Sequence, residues 1–169
     1  RRGDTLASVG GLEATRRFAA TLELLPDVRP LAHGARVRFH QGTSEVIGRI
    51  ALAGLARALG EASEGPAPDR AGTTELQPGG RAYVRVHLEK AAVLTRSDRY
   101  ILRSYSPPTT IAGGTVLDPQ PPRGRLRTAA GFERLQRLDP DAHAERGALE
   151  AVIAMIEERG AGGLSRRQL

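Results

Sequence analysis

The chain has 169 residues, 40% of them apolar and 26% charged, so it is long enough for one ordinary domain, or for a domain of about 100 residues plus part of another. Its 25 Lys and Arg residues exceed its 19 Asp and Glu residues, and the formal net charge of +6 permits a nucleic-acid partner without requiring one. The sequence has no cysteine, which excludes disulfides, thiolate metal sites and a cysteine nucleophile.

The basic charge is carried by arginine, since Lys90 is the only lysine. Arginine binds phosphate through two parallel hydrogen bonds and stacks on bases, so this composition suits an RNA partner. A GC-rich coding sequence also raises the arginine content and is an alternative explanation. No apolar run is long enough for a signal peptide or a membrane span, and we expect a cytoplasmic location. The chain begins without an initiator methionine, and residues 1–14 are predicted to be the end of a preceding barrel domain or a linker.

Alternating apolar and polar residues predict a mainly β fold over residues 15–122. The first alternating run covers residues 16–24, and the next two, 36–40 and 43–52, are expected to form a hairpin that turns at Gln41-Gly42. The clearest strand signal spans residues 81–89. Shorter strands are predicted at residues 91–94, 99–105 and 111–117, at spacings typical of a closed or sandwiched antiparallel sheet.

The stretch 100–118 reads Y-I-L-R-S-Y-S-P-P-T-T-I-A-G-G-T-V-L-D and is predicted to be two strands joined by a tight corner. Gly113 and Gly114 interrupt its apolar run, as closely approached backbone requires. Residues 26–34, with two prolines and a glycine, are predicted to be a loop. Residues 53–80 are rich in small, polar and helix-breaking residues and are predicted to be a surface insertion.

Composition changes after the proline-rich residues 119–122, which predict a stiff exit from the sheet. Helical spacing of apolar residues predicts helices over residues 126–138 and 144–159. The second helix should bury one stripe, made of Leu149, Val152, Ile153 and Ile156. Its predicted N-cap is Asp141, and the glycines at 160–163 are its predicted stop.

Ser165 is a candidate cap for a further helix, in the segment L-S-R-R-Q-L at the end of the chain. A helix, a glycine-rich turn and a capped basic helix suit a helix-turn-helix or winged helix. Residues 123–169 are therefore interpreted as a helical linker and the truncated start of a winged-helix domain. The alternative is a helical bundle that packs back on the barrel.

Motifs for catalysis and cofactor binding are missing from the sequence. No G-x-x-x-x-G-K-[ST] loop occurs, the four histidines lack metal-ligand spacing, and no nucleophile elbow stands out. We therefore expect no catalytic residue, metal or cofactor in this chain. Cationic and aromatic residues instead mark the predicted strands: Arg36, Arg38, Arg49, Arg85 and Arg103, with His40, His87, Tyr83 and Tyr105.

On a half-buried strand, the residues between the apolar ones face solvent, so Arg36, Arg38 and His40 should share an outward face. A face of this kind can follow a phosphate backbone. The alternative interpretation is an ordinary solvated surface.

The stretch 100–118 resembles the third domain of bacterial selenocysteine-specific elongation factors (the SelB family), a barrel like the last domain of elongation factor Tu that carries an R-S-Y-S-P-x-x-T-I-G-G-G-x-V-L-D-P run. The resemblance extends to R-G-D-T-L near the start, to V-R-F-H-Q-G-T-S-E-V-I-G-R-I at residues 37–50, to Pro78-Gly79 and to V-L-T-R-S-D-R-Y-I-L-R at residues 93–103. Ala112 and Ser97 depart from the family pattern, because each stands where the family has glycine. A positive φ would be energetically less favourable for Ala112 than for glycine.

The resemblance implies an antiparallel closed β-barrel at residues 15–122 that helps to bind selenocysteyl-tRNA on the T-stem backbone side. It also implies that GTP and Mg²⁺ belong to a GTPase domain of the same protein, that the ribosome is a partner, and that an mRNA hairpin is bound only by winged helices further along. Carried over by position, the RNA-binding candidates are Arg36, Arg38, His40, Gln41, Thr43, Arg103, Ser106, Thr109, Thr110, Gly113 and Gly114.

Two other functions are compatible with the sequence. The first is a DNA-binding regulator that uses a truncated winged helix-turn-helix, and an upstream P-loop would exclude it. The second is an enzyme that uses the barrel mouth, for which the sequence offers no assembled acid, base or nucleophile.

Overall fold

The computed structural model describes residues 3–5, 12–56, 74–122, 128–143 and 147–159. Within these ranges, eight strands and two α-helices follow one another: β1 (Ala14–Leu24), β2 (Leu31–Ala32), β3 (Arg36–Gln41), β4 (Ser44–Leu55), β5 (Glu75–Leu76), β6 (Arg81–Val93), β7 (Arg99–Ser104), β8 (Thr110–Asp118), α1 (Ala129–Leu138) and α2 (Gly147–Arg159). A 3₁₀ turn, Pro140–Ala142, lies between the helices.

Six of the strands close into a barrel in the order β1-β6-β4-β3-β7-β8, and β8 pairs again with β1. All the pairings are antiparallel, which confirms the predicted closed antiparallel barrel. Closure leaves these six strands without a free edge, so the backbone hydrogen bonds of the sheet are satisfied within it.

Alternation places one side of every barrel strand in the core. Phe18, Phe39 and Tyr100 meet there, with ring centroids 5.1 to 5.8 Å apart. The Tyr100 hydroxyl donates a hydrogen bond to the Thr21 carbonyl at 2.7 Å, which satisfies the polar tip of this buried ring. Burial raises the pKa of Tyr100, so the hydroxyl keeps its proton.

Gly114 lies where β8 passes this hydroxyl. A Cβ at this position would overlap the Thr21 carbonyl oxygen and lie 2.8 Å from the Tyr100 oxygen. The close approach predicted for the double glycine therefore applies to Gly114. Ala112 has no positive φ, whereas Ser97 does, at 68°, in the region that favours the glycine of the related pattern.

A second apolar cluster lies outside the barrel, between the strands and the helices. Outward-facing Ala19, Ala53, Tyr83 and Leu117 pack there with Phe132, Leu135 and Leu138 of α1 and with Ala151 and Ala154 of α2. The Tyr83 and Phe132 rings meet edge to face at 5.3 Å. The helical segment thus packs on the barrel wall, and Tyr83, one of the predicted surface aromatics, is 1% exposed.

The predicted buried stripe of α2 is wrong. Leu149 and Ile156 are 55% and 45% exposed, and the buried positions are the small residues Gly147, Ala151 and Ala154. Gly147 lies so close to the 3₁₀ turn that a Cβ there would be 2.6 Å from the Pro140 Cα. Small side chains let the backbones approach, and this requirement outweighs hydrophobicity in choosing the buried face.

Asp141 is not the N-cap of α2, because it lies within the 3₁₀ turn, which Asp139 caps by accepting a hydrogen bond from the Asp141 amide at 3.1 Å. The N-cap of α1 is Thr128, whose hydroxyl accepts a hydrogen bond from the Gly131 amide at 3.1 Å. The glycine stop at 160–163 and the helix expected after Ser165 lie outside the described residues.

The predicted surface insertion at 53–80 is wrong at both ends. Strand β4 continues to Leu55, and β5 pairs with β2, inside the predicted loop 26–34, to bury Leu76 completely. Residues 57–73, the middle of the insertion, lie outside the described ranges. The separate strand expected at residues 91–94 is largely the continuation of β6, which ends at Val93.

The helices within the described ranges are all too short or too polar to cross a lipid bilayer.

Candidate nucleic-acid interface

Part of the predicted RNA-binding set converges around one exposed ring, that of Tyr105. The guanidinium carbons of Arg36 and Arg38 lie 4.4 and 5.5 Å from the ring centroid, and Arg103 stands opposite Arg38 on the neighbouring strand β7. We call Arg36, Arg38, Arg103 and Tyr105 the Tyr105 patch. Stacking on an aromatic face holds a guanidinium in a fixed orientation while its hydrogen-bond donors stay available.

Two carboxylates partly neutralise the Tyr105 patch. Arg36 pairs with Glu89 at 2.8 Å and Arg38 with Glu45 at 2.5 Å, and all four side chains are about one third to one half exposed. The hydrogen bond from Arg38 lowers the pKa of Glu45, so this carboxylate is charged at neutral pH. Exposed pairs of this kind contribute little stability, and each arginine has further donors for another ligand.

The corner between β7 and β8 lies beside the patch, where the predicted Ser106, Thr109 and Thr110 are exposed. Thr110 stands opposite Arg103 across β7 and β8. Ser104, which the sequence did not single out, organises the corner: its hydroxyl contacts the Pro107 carbonyl and accepts a hydrogen bond from the Thr109 amide at 3.2 Å. Ser104 lies three positions before the Pro107-Pro108 pair, and a serine so close to prolines is a turn signal that was available in the sequence.

The remaining predicted residues of the hairpin lie at the other end of β3. His40 is 3.7 Å from Glu45, Gln41 ends the strand, and the Thr43 hydroxyl accepts a hydrogen bond from the Gly3 amide at 3.1 Å. Strand β3 continues for only three residues, about 10 Å, from Arg38 to Gln41, and Thr43 lies in the turn that follows. Gln41 and Thr43 are therefore a separate location next to the Tyr105 patch, whereas His40 adjoins the patch because it lies beside Glu45, the partner of Arg38.

Gly113 and Gly114 do not present their amides to a ligand. Both lie inside β8, where Gly113 is paired with Ile101 of β7 and with Glu23 of β1, and Gly114 is paired with Tyr100. The backbone amides of a strand with a neighbour on each side point toward those neighbours. The two glycines are structural residues of the barrel and not phosphate-binding donors.

Further outward-facing cations continue past Arg36 across the barrel. Arg49 on β4 stands directly opposite Arg36, His87 on β6 opposite Arg49, and Arg17 on β1 opposite His87. We call Arg36, Arg49, His87 and Arg17 the cationic row. Arg49 and His87 belong to the cations noted in the sequence, but Arg17 was missed, because the alignment of four strands is not visible without their register.

The structure also contains a cleft of about 390 Å³ between the end of β8, the proline-rich exit and the helices. Leu117, Leu138 and Met155 supply apolar walls, and Asp118 pairs with Arg134 at 2.5 Å in its lining. No three His, Asp or Glu side chains are grouped to hold a metal ion in the described part of the chain.

Comparison with known proteins defines the class to which this barrel belongs, that of a translation elongation factor domain. Residues 16–123 match the family described as selenocysteine-specific elongation factor, beta-barrel domain. The chain belongs to this family, which confirms the resemblance seen in the sequence. The selenocysteine-specific elongation factor of Desulfomicrobium baculatum is 29% identical over 140 residues, which is 83% of this chain and 18% of that relative. The chain thus spans less than a fifth of that relative's length.

Proposed function

We propose that this chain is a non-catalytic module of a selenocysteine-specific elongation factor that holds the backbone of selenocysteyl-tRNA. The tRNA is held for GTP-dependent delivery to the ribosome at recoded UGA codons, with GTP and Mg²⁺ bound by another domain of the same protein. The observation that supports this function best is the Tyr105 patch, which presents three guanidinium groups and an aromatic ring on the wall of a barrel of this family.

The chemistry of the patch suits an RNA backbone. Guanidinium groups bind phosphate oxygens through paired donors, and the exposed hydroxyls of Thr109 and Thr110 are neutral donors of the kind that contact phosphate and ribose. We therefore assign the patch to positioning the RNA and not to reading its sequence.

The test is the salt dependence of binding. The chain and its Arg38→Gln/Arg103→Gln variant are titrated against a fluorescently labelled selenocysteine tRNA transcript at several salt concentrations. The loss of two phosphate contacts should lower the slope of log K against log salt by about two and weaken binding several-fold. An unchanged slope would reject the Tyr105 patch as the interface.

Arg29→Gln is the matched control, since Arg29 is an exposed arginine in the loop before β2, away from the patch. It should leave both slope and affinity unchanged. The alternative function, a DNA-binding regulator, depends on residues 164–169, which lie outside the described residues.

A further inference from the structure

The cationic row crosses four adjacent barrel strands in one line. Its members face each other directly across the pairs β3–β4, β4–β6 and β6–β1, and they project from the outer side of the barrel. Adjacent strands lie about 4.8 Å apart, so the row extends about 14 Å from Arg36 to Arg17.

The row accumulates like charge with little neutralisation. Like charges directly opposite each other destabilise a sheet, and Arg36 and Arg49 are such a pair, whereas the lowered pKa of His87 leaves its imidazole mostly uncharged at neutral pH. Across the described residues, Glu89 is the one carboxylate that pairs with a member of the row, and it does so at the Arg36 end. Arg49 and Arg17 instead donate to the carbonyls of Gly34 and Pro121, at 3.2 and 3.4 Å.

Arg17 is the member of the row whose charge acts on the pKa of His87. Burial, followed by the positive charges of Arg85 and Arg17, lowers this pKa. Arg17 faces His87 from β1 and Arg49 from β4, while Arg85 and Glu89 are its outward neighbours on β6. A site with unsatisfied positive potential gains when an anion binds over it.

We propose that the RNA contact of the Tyr105 patch continues along the cationic row, so that Arg49, His87 and Arg17 bind further phosphates of the same duplex strand. This inference rests on the proposed function, because both surfaces bind one RNA, and Arg36 belongs to both. A row about 14 Å long spans several successive phosphates of one duplex strand. The line of charges matches a polymer of regularly spaced anions better than it matches a single small anion.

The experiment uses the complete 169-residue chain and a labelled RNA hairpin with a 12-base-pair stem. The row variant Arg17→Gln/Arg49→Gln is compared with the patch variant Arg38→Gln/Arg103→Gln and with Arg99→Gln, a control at an exposed arginine of β7 outside both surfaces. We expect the row variant to bind several-fold more weakly than the unaltered chain and to lower the slope of log K against log salt by about two. The patch variant should show its own loss, measured separately against the unaltered chain.

A measurement on the unaltered chain covers the case that Arg17→Gln disturbs the proline-rich exit. The imidazole of His87 is titrated by NMR with and without the RNA hairpin, and its pKa should rise by about one unit when phosphates lie over the row. A purely structural role for these residues predicts no change in this pKa when RNA binds.

The outcomes separate the two proposals. If the patch variant weakens binding while the row variant binds normally and the pKa of His87 does not move, the row is overturned and the proposed function stands. Weaker binding by the row variant alone, with a raised pKa of His87, would place RNA on the row but reject the Tyr105 patch, and so overturn the continuous contact proposed here. If neither variant changes binding, both proposals fail.

Discussion

The two halves of β6 carry outward-facing polar residues that serve opposite purposes. Arg81 and Tyr83, in the first half, are covered by the helical segment, with the side chain of Arg81 9% exposed and Tyr83 1% exposed. His87 and Glu89, in the second half, lie in the open and border the cationic row. The alternation is the same throughout, so the sequence of the strand does not distinguish the halves.

What distinguishes them is the partner that each half receives. Arg81 donates to both carboxylate oxygens of the buried Asp139, at 2.9 and 3.1 Å, and the Tyr83 hydroxyl donates to the same carboxylate at 2.9 Å. Burial opposes the charge of Arg81, yet its hydrogen bond and attraction to Asp139 outweigh burial and raise its pKa. A buried cation with a matched carboxylate holds the structure together, whereas exposed cations that oppose each other form a surface for an anionic partner.

The covered half gives the largest expected effect. Asp139→Asn removes the buried carboxylate of the nearly buried Arg81, whose partners Glu23 and Asp141 are both exposed, so the free energy of unfolding should fall by about 3 kcal/mol, measured by urea denaturation. Tyr83→Phe removes one hydrogen bond to the same carboxylate and keeps the ring, and should cost about 1 kcal/mol. If Asp139→Asn lowers the free energy of unfolding by less than Tyr83→Phe does, Asp139 is not the main residue that holds the helices against the barrel.

A smaller effect is expected where α1 begins. Thr128→Ala removes the oxygen that caps the helix and should lower the free energy of unfolding by about 1 kcal/mol. Amide hydrogen exchange should accelerate in α1 more than in β6, which tests whether the covering helix loosens separately. Thr128→Ser keeps the capping oxygen and serves as the control, and equal losses for the two variants would contradict a capping role.

The barrel was predictable because strand alternation is a local property. The runs at residues 16–24 and 81–89 place apolar residues at every second position, and this pattern decides which side faces the core. Leu76 was missed because a two-residue strand inside a polar segment has no periodicity, and only its pairing with Leu31 reveals it.

Only part of the candidate site could be predicted, because its other contacts join segments that are distant in the sequence. Arg36 and Arg38 were predictable as outward-facing residues of one strand, but their convergence on Tyr105 depends on the corner that follows β7. Tyr83 resembled a surface residue because its partner Asp139 lies 56 positions later in the chain. The cationic row needs the register of three strand pairs, which no single segment encodes.

The smallest predicted effect belongs to the open half of β6. The pKa of His87 is lowered in the folded chain. As the pH falls through about 6.5, His87 is therefore protonated in the unfolded chain before it is protonated in the folded chain. The free energy of unfolding should decrease over this range until His87 is also protonated in the folded chain. Between pH 7.5 and 5.5 the unaltered chain should lose more stability than His87→Gln, by no more than about 0.5 kcal/mol, because solvent screens this exposed site. Urea denaturation at both pH values measures the difference. Arg17→Gln should shrink it by removing one of the positive charges that lower this pKa. An equal or larger difference in that variant would show that burial and Arg85 shift the pKa of His87 and that Arg17 exerts no field upon it.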